Sequence, residues 1–475
     1  MRAAEFTRRL GSGLAGIALV LALAWLWRCL CLYPAHGWNE IRLAPTFMLA
    51  HGLSPYPGAN SGPVTTWIYG PLPLLLQLPA VLASSAAGAL LLSGFVNAAI
   101  TVVAVSLAVV SFSRHQPAAG RMDALVGILA CLALWPVTSL EFVQADNAAV
   151  AVGLLSLLCL QHSTPTRRRL AALACAAAIA SKQILVGLAL AECVYLLQRE
   201  NLRAAIRHGL WISLFTALLL GGAALAFGPA GFGYNLFFLP SRLPWAPSLS
   251  GRLAEFWAYL AVHVGIPLAV AIGLGRRIWR KDSPWLLPFC AWAATLPPDL
   301  AALLKTGGSI NSLHGWLLFL PPAVALCLAA GRSTAAVRTG LAGIAAIVLA
   351  LRLFLLTPPI WRPLEGHLRE GDFLARNLSG EVYFPWHPLL TFYADRRFDH
   401  VEDGLFIRRL AGAPVSGDAL SAHLPPRFHV VAFLRSEMDW GIARELIPRG
   451  AQQTSLGNWT IYSWVVPEPS PQAPK

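Results

Sequence analysis

The chain has 475 residues, 56% hydrophobic and 12% charged, with a mean hydropathy of +0.59. Soluble domains carry about 25% charged residues, so this composition excludes a large soluble core and fits a polytopic membrane protein. The formal charge of +13 does not point to nucleic acid: the basic residues form short clusters between apolar runs, with no interleaved stacking aromatics, and suit anionic headgroups on the cytoplasmic side.

Met1-Arg2…Arg9 and the apolar run from about Leu10 open like a signal peptide. The run lacks a small-x-small cleavage pattern before its tryptophans, which predicts an uncleaved first helix. Runs approaching the roughly 17–25 residues that cross a bilayer predict spanning helices near 11–31, 88–110, 122–138, 146–161, 168–181, 184–198, 207–228, 254–274, 284–303, 313–330 and 339–358, about eleven in all. Basic clusters fall between them: Arg114 and Arg121; Arg167-Arg168-Arg169; Arg199, Arg203 and Arg207; Arg276, Arg277, Arg280 and Lys281; Arg332 and Arg338. Placing all of these inside makes the N-terminus cytoplasmic and the helices alternate. Two adjustments follow. Residues 70–83, opening Gly70-Pro71-Leu72-Pro73, are interrupted by proline and predict a membrane-dipping segment, not a span. Residues 168–198 have Arg at both ends and predict a hairpin of two short helices with an outward turn at Ser181-Lys182-Gln183.

The sequence therefore divides into a transmembrane part, 1–358, and an extracytoplasmic C-terminal part, 359–475. The second holds most of the acids and many His and Pro residues. It reads as a small mixed α/β unit with strands at Val430–Leu434 and 459–465 and a disordered tail, Pro467–Lys475. Eight cysteines, among them Cys131, Cys159, Cys175 and Cys290 inside apolar runs, show no metal or disulfide spacing and read as small hydrophobes. There is no internal repeat.

Unusual polar residues gather in the outward loops: His36, Asn39, Glu40, Arg42, His51, Tyr56 and Tyr69 in the first, then Glu141, Gln144, Asp146 and Asn147, then Lys182, then Lys305 to Asn311 and His314. Ionisable groups near a membrane are costly and tend to be paired or functional. Each has a plainer reading. Glu40 can be interfacial, Asp146 a helix cap, Lys182 a snorkelling residue and Lys305 a helix anchor. His36, His51 and His314 read as structural; Trp67, Trp245 and Trp361 suit an aromatic belt. Together, an acid, two lysines and a second acid on one face suit a lipid-phosphate ligand: lysine offers point charge to phosphate, and a carboxylate takes the proton of an attacking hydroxyl. Glu40 with Asp146 can also hold a divalent cation, Mg or Mn, through oxygen. Tyr383-Phe384-Pro385-Trp386-His387 is either an aromatic sugar platform or a packing cluster.

On these residues the chain resembles bacterial membrane glycosyltransferases of the GT-C superfamily, related to the RgtA-like and polyprenyl-phosphate-mannose mannosyltransferase-like groups. The likeness covers roughly 10–330. It rests on the acid after the first helix (Glu40), the His51-Gly52-Leu53-Ser54-Pro55-Tyr56-Pro57 and Tyr69-Gly70-Pro71-Leu72 stretches, Asp146 before a later helix, Lys182-Gln183, and Lys305 to Asn311. The chain departs from the pattern at Glu40, where many relatives carry Asp, sometimes with a second acid beside it; here the neighbour is Asn39.

The resemblance implies a GT-C-like all-α membrane fold in a bacterial inner membrane, and inverting transfer from a polyprenyl-phosphate sugar donor to a lipid, glycan or protein acceptor outside the cytoplasm. No cofactor is certain, although some relatives bind a divalent cation. In that reading Glu40 is the base, Lys182 and Lys305 bind the donor phosphate, and Arg42, His51, Tyr69, Asp146 and Asn311 are candidate partners of substrate or acid. The 70–83 segment lines the lipid's path. The alternatives are a lipid or lipid-linked glycan flippase, expected to show paired broken helices about a midplane site, and an O-antigen-ligase-like transferase.

Overall fold

The computed structural model describes residues 2–31, 38–113, 121–136, 143–161, 164–330, 334–354, 364–435 and 441–465. The readings placed on His36, Arg114, Glu141, Arg332, Trp361 and the tail Pro467–Lys475 fall outside them.

The chain is mostly helical, with a small mixed sheet near its C-terminal end. Six helices among the described residues are long and apolar enough to cross a membrane: Glu5–Leu30, Ala86–Ser113, Leu202–Phe227, Trp257–Arg277, Leu286–Leu303 and Ala335–Phe354. Shorter helices occupy Arg121–Leu134, Ala145–Gln161, Pro165–Ser181, Val186–Arg199 and His314–Ala330. The span expected over 254–274 is present as Trp257–Arg277, with local interruptions at Phe256 and Val264 that separate Leu249–Glu255, Trp257–His263 and Gly265–Leu274. Pro267 explains the last break, because it has no N–H to offer the His263 carbonyl. Trp292 Nε1 donates to that carbonyl instead, at 3.3 Å.

Lipid tails do not drive apolar helices together, so close packing needs small residues. The Pro165–Ser181 helix supplies them: Ala171, Ala172, Cys175 and Ala178 are buried, and the helix packs against Ala145–Gln161 and Leu202–Phe227. The predicted hairpin has its two helices, but Val186–Arg199 packs mainly on Leu286–Leu303 and Leu202–Phe227, not on its sequence neighbour.

Residues 70–83 form two short helical turns, Leu72–Leu76 and Leu78–Leu82, and no span. They are pinned at the start. Gly70 N donates to the Ser181 carbonyl at 3.0 Å, and a Cβ at Gly70 would run into the Ala180 carbonyl. The first loop thus rests on the turn that carries Lys182.

Near the C-terminus, strands β1 (Val382–Tyr383), β2 (Val430–Leu434), β3 (Gln452–Leu456) and β4 (Trp459–Ser463) make one sheet in the order β1-β2-β4-β3. β1 runs parallel to β2, and the other pairs are antiparallel, with Val430 opposite Ser463 and Leu434 opposite Trp459. Every residue of the apolar β2 is buried, as expected of a strand covered on both faces. The unit's core is shared with the membrane part. Leu43, Phe47 and Met48 of the Trp38–Ala50 helix join Ala86 and Leu90 in one cluster with Phe384, Leu390, Phe392 and Trp459. Tyr383, Phe384, Trp386 and His387 are buried, so that stretch is a packing cluster and not a sugar platform.

Candidate functional site

Several helix ends on one side of the bundle converge on Asp146. The Ala145–Gln161 helix starts beside it. Lys182 follows the Pro165–Ser181 helix in extended geometry, φ −146° and ψ 112°, which breaks the helix and turns its side chain back. Asn311 lies in the Ile310–Ser312 turn, and His314 opens the His314–Ala330 helix.

Lys182 Nζ donates to Asp146 Oδ1. Asn311 Nδ2 donates to Asp146 Oδ2 at 3.1 Å and to Gln144 Oε1 at 3.3 Å. His314 Nε2 lies 2.5 Å from Asp146 Oδ1, and its Nδ1 lies 3.2 Å from Asp299 Oδ1. Gly315 N donates to the other Asp299 oxygen at 2.7 Å. Both His314 nitrogens therefore face carboxylates, the arrangement in which both N–H groups of an imidazolium donate. In that form Lys182, Asp146, His314 and Asp299 sum to zero charge, which is how buried ionisable groups are tolerated in a membrane protein. All four are buried. Asp146 is thus the hub of an ionic network and more than a helix cap.

The first loop covers this network. The Tyr69 ring lies 5.1 Å from Lys182 Nζ, Tyr56 Oη donates to the Tyr69 carbonyl at 2.8 Å, and Gln183 Nε2 donates to the Ile68 carbonyl at 3.1 Å. Trp67 is buried, with Nε1 donating to the Gly70 carbonyl at 3.1 Å. It fixes this turn and does not belong to a belt. The Trp38–Ala50 helix reaches the same place: Asn39 Oδ1 accepts from Val143 N at 2.8 Å, and Arg42, lying over the Trp38 ring at 5.4 Å, points a nitrogen at the Val143 carbonyl at 3.5 Å.

Asp146, Lys182, Asn311 and Tyr69 are thus brought together, with Arg42 at their edge. Glu40 goes elsewhere. It is fully buried, its Oε1 lies 2.8 Å from His387 Nδ1, and its Oε2 accepts from Leu389 N at 3.2 Å. It caps the first turn of the Pro388–Asp395 helix, tying the C-terminal unit to the membrane part. His51 serves the same junction, with its Nδ1 2.8 Å from the Phe47 carbonyl and its ring centroid 4.7 Å from that of Phe392, edge to face. Lys305 donates to the Pro240 carbonyl at 2.7 Å and lies 5.9 Å from the Trp245 ring; burial pulls its ammonium below the ordinary lysine range.

The oxygens of Glu40 and Asp146 are ringed by N–H donors, which does not fit a shared cation. Among the described residues no group of three or more His, Cys, Asp or Glu side chains is arranged to hold a metal ion. The site list read from the sequence omitted His314, Asp299 and Gln144. Asp299 carried a usable signal: it is an acid inside an apolar run, after Pro297-Pro298.

No protein-family profile matches the chain, and no curated protein sequence matches it. Among solved structures it is similar to ArnT from Cupriavidus metallidurans bound to undecaprenyl phosphate, with TM-score 0.56 and 12% identity over 97% of this chain and 100% of that one. It is similar also to ArnT from the same organism in the apo state, with TM-score 0.55 and 12% identity over 95% and 98% of the two chains. The likeness, at 12% identity across nearly the whole chain, is one of fold.

Proposed function

We propose that the protein is a membrane glycosyltransferase that moves a sugar from a polyprenyl-phosphate-linked donor to an acceptor on the extracytoplasmic side. One observation carries the reading: a buried lysine paired with an acid sits where helix ends meet the first loop, in a chain whose fold is similar to that of a protein with bound undecaprenyl phosphate. In this proposal about eleven helices span a bacterial inner membrane with the N-terminus cytoplasmic. The Arg167–Arg169 cluster, near the start of the 17-residue Pro165–Ser181 helix, then lies inside, about 20 Å from Lys182.

The donor phosphate takes the place of Asp146 as the partner of Lys182. Asp146 keeps Asn311 and His314, so releasing Lys182 leaves no bare buried carboxylate. The Tyr69 ring limits how far the ammonium swings. Lys305 and Arg42 add positive charge at the rim. As the acceptor oxygen bonds to the anomeric carbon, the carbon–oxygen bond to phosphate breaks and its electron pair leaves on the phosphate oxygen. Cations fixed beside that oxygen stabilise the charge where it develops. Attack opposite the leaving group inverts the anomeric centre. Glu40 seats the C-terminal unit over this pocket. The leaf of short helices at 72–82 lines the lipid's path.

The test is reconstitution of the full chain in proteoliposomes with undecaprenyl phosphate carrying a radiolabelled hexose or pentose, plus an envelope lipid extract. Labelled product of inverted configuration is the expected result. Labelled lipid that changes leaflet without yielding product would overturn the reading in favour of a flippase.

A further inference from the structure

Transfer to a hydroxyl needs a proton acceptor, and the three acids placed so far have their oxygens taken. Glu40 serves His387 and Leu389, Asp146 serves Lys182, His314 and Asn311, and Asp299 serves His314 and Gly315. A fourth acid reaches this region from the far end of the chain. Asp403 lies in the first turn of the Glu402–Leu410 helix and is 7% exposed. Its backbone is pinned on the first loop. Val401 N donates to the Val64 carbonyl at 3.0 Å, and Gly404 packs so closely on the Thr65 carbonyl that a Cβ would collide with it.

This docking sets the Asp403 carboxylate beside two groups of the membrane part, the Arg42 guanidinium and the Thr66 hydroxyl. Neither closes a pair with it. Arg42 is spread over Trp38 and directed at the Val143 carbonyl. Thr66 Oγ1, on a residue 8% exposed, makes no hydrogen bond of good geometry. A buried, unused hydroxyl costs about 1–3 kcal/mol unless something else satisfies it. An acid in a helix's first turn is ordinarily there for the dipole, but that does not account for the Arg42 guanidinium and the Thr66 hydroxyl set beside it. Arg42 is directed at the Val143 carbonyl, and the next residue, Gln144, shares Asn311 with Asp146, so this group joins the edge of the Asp146 network.

We propose that Asp403 is the general base: its carboxylate takes the proton of an acceptor hydroxyl that Thr66 holds, as that oxygen bonds to the anomeric carbon and the lipid phosphate departs with the bonding pair. The assignment rests on the glycosyltransferase reading. The C-terminal unit then supplies a reacting group to the site. Burial raises Asp403 to about 6, against the pull of Arg42 and then Thr66, which poises it as a base near neutral pH. The other titratable group near it is Glu402 on its own helix, which burial raises to about 7 and which accepts from Ile442 N and Ala443 N.

The experiment is the pH–rate profile of transfer from the same radiolabelled undecaprenyl-phosphate sugars by full-length protein, from pH 5 to 8. Wild type and Glu402→Gln should both show a rising limb near 6. Asp403→Asn should lose that limb and about 10²–10⁴-fold in kcat, with KM for the donor within about threefold. An Asp403→Asn enzyme within about threefold of wild type, or keeping the limb, overturns the assignment while the transferase reading stands. A wild type with no limb between pH 5 and 7 overturns it whether or not the variant folds. Absence of product from wild type with every donor overturns both.

Discussion

Two of the buried polar networks among the described helices differ in one respect. In the first, Ser156 Oγ donates to Glu192 Oε1 at 2.5 Å and His208 Nε2 lies 2.8 Å from Oε2, with Ser156 also reaching the Ala171 carbonyl at 2.7 Å. It joins the Ala145–Gln161, Val186–Arg199 and Leu202–Phe227 helices about 10 Å along the helix from Arg199. All three residues are buried, and every named oxygen has its partner inside the network. The second network, around Asp146, is as buried at its hub but has an edge: Tyr69 and Arg42 are only partly covered. Burying charge in a membrane protein is therefore not enough to mark a site. A closed network clamps helices, and an open-edged one can exchange an internal partner for a ligand.

The sharpest way to break this comparison is to remove one charge from each network. Lys182→Met should cut transfer by about 10²–10³-fold, the scale of losing one donor aimed at developing charge. Glu192→Gln should leave transfer per folded molecule within about threefold while lowering thermal stability in detergent by about 1–3 kcal/mol. Proteoliposome assays and melting curves read the two effects separately. Equal losses of activity in both variants would mean that the open edge has no special standing.

The same contrast explains what the sequence disclosed. Helices were legible because apolar runs between basic clusters leave the chain few other options. The polar residues of the outward loops were legible as a class, and Asp146, Lys182, Asn311 and Tyr69 do meet. Their partners were not, because pairing across 146, 299 and 314 depends on how three helices cross, which local pattern does not encode. Pro267 is visible in the sequence, but which group takes over the His263 carbonyl it leaves free, Trp292, is not. Glu40 is the instructive case. Its position after the first helix matched a motif, yet which way its carboxylate turns depends on a unit that begins more than three hundred residues later.

A second test sharpens the division of labour between the membrane part and the C-terminal unit. Glu40→Gln keeps an acceptor for Leu389 N only by turning its NH2 to His387 Nδ1, which must then accept, and the charge on the pair is lost. The expected cost is about 1–3 kcal/mol, concentrated on the junction with the Pro388–Asp395 helix. Limited proteolysis should cut the C-terminal unit faster, and transfer should fall in step with undocking. Were transfer abolished with the unit still protease-resistant, Glu40 would be acting on substrate, and the base would have to move from Asp403 to it.

The smallest predicted effect sets the same two parts against each other through pH. Burial raises Asp399 to about 6, opposed by Arg397, and raises Glu402 to about 7, opposed by the Ala443 and Ile442 amides. A carboxyl with its folded value above its ordinary one favours the fold when protonated. That contribution is complete below the ordinary carboxylate range and is lost as pH rises through 6 and then 7. The C-terminal unit should therefore loosen between pH 5 and 8, at about 1.4 kcal/mol for each pH unit by which a carboxyl is raised, read as faster hydrogen exchange in β2 and in the Glu402–Leu410 helix. Slower exchange at pH 8 would contradict the sign. Ionising Asp403 switches the proposed base on through the same range in which ionising Glu402 weakens the unit that delivers it. Transfer should then peak between the two values, and Glu402→Gln should extend the alkaline side of the peak while leaving the acid side in place.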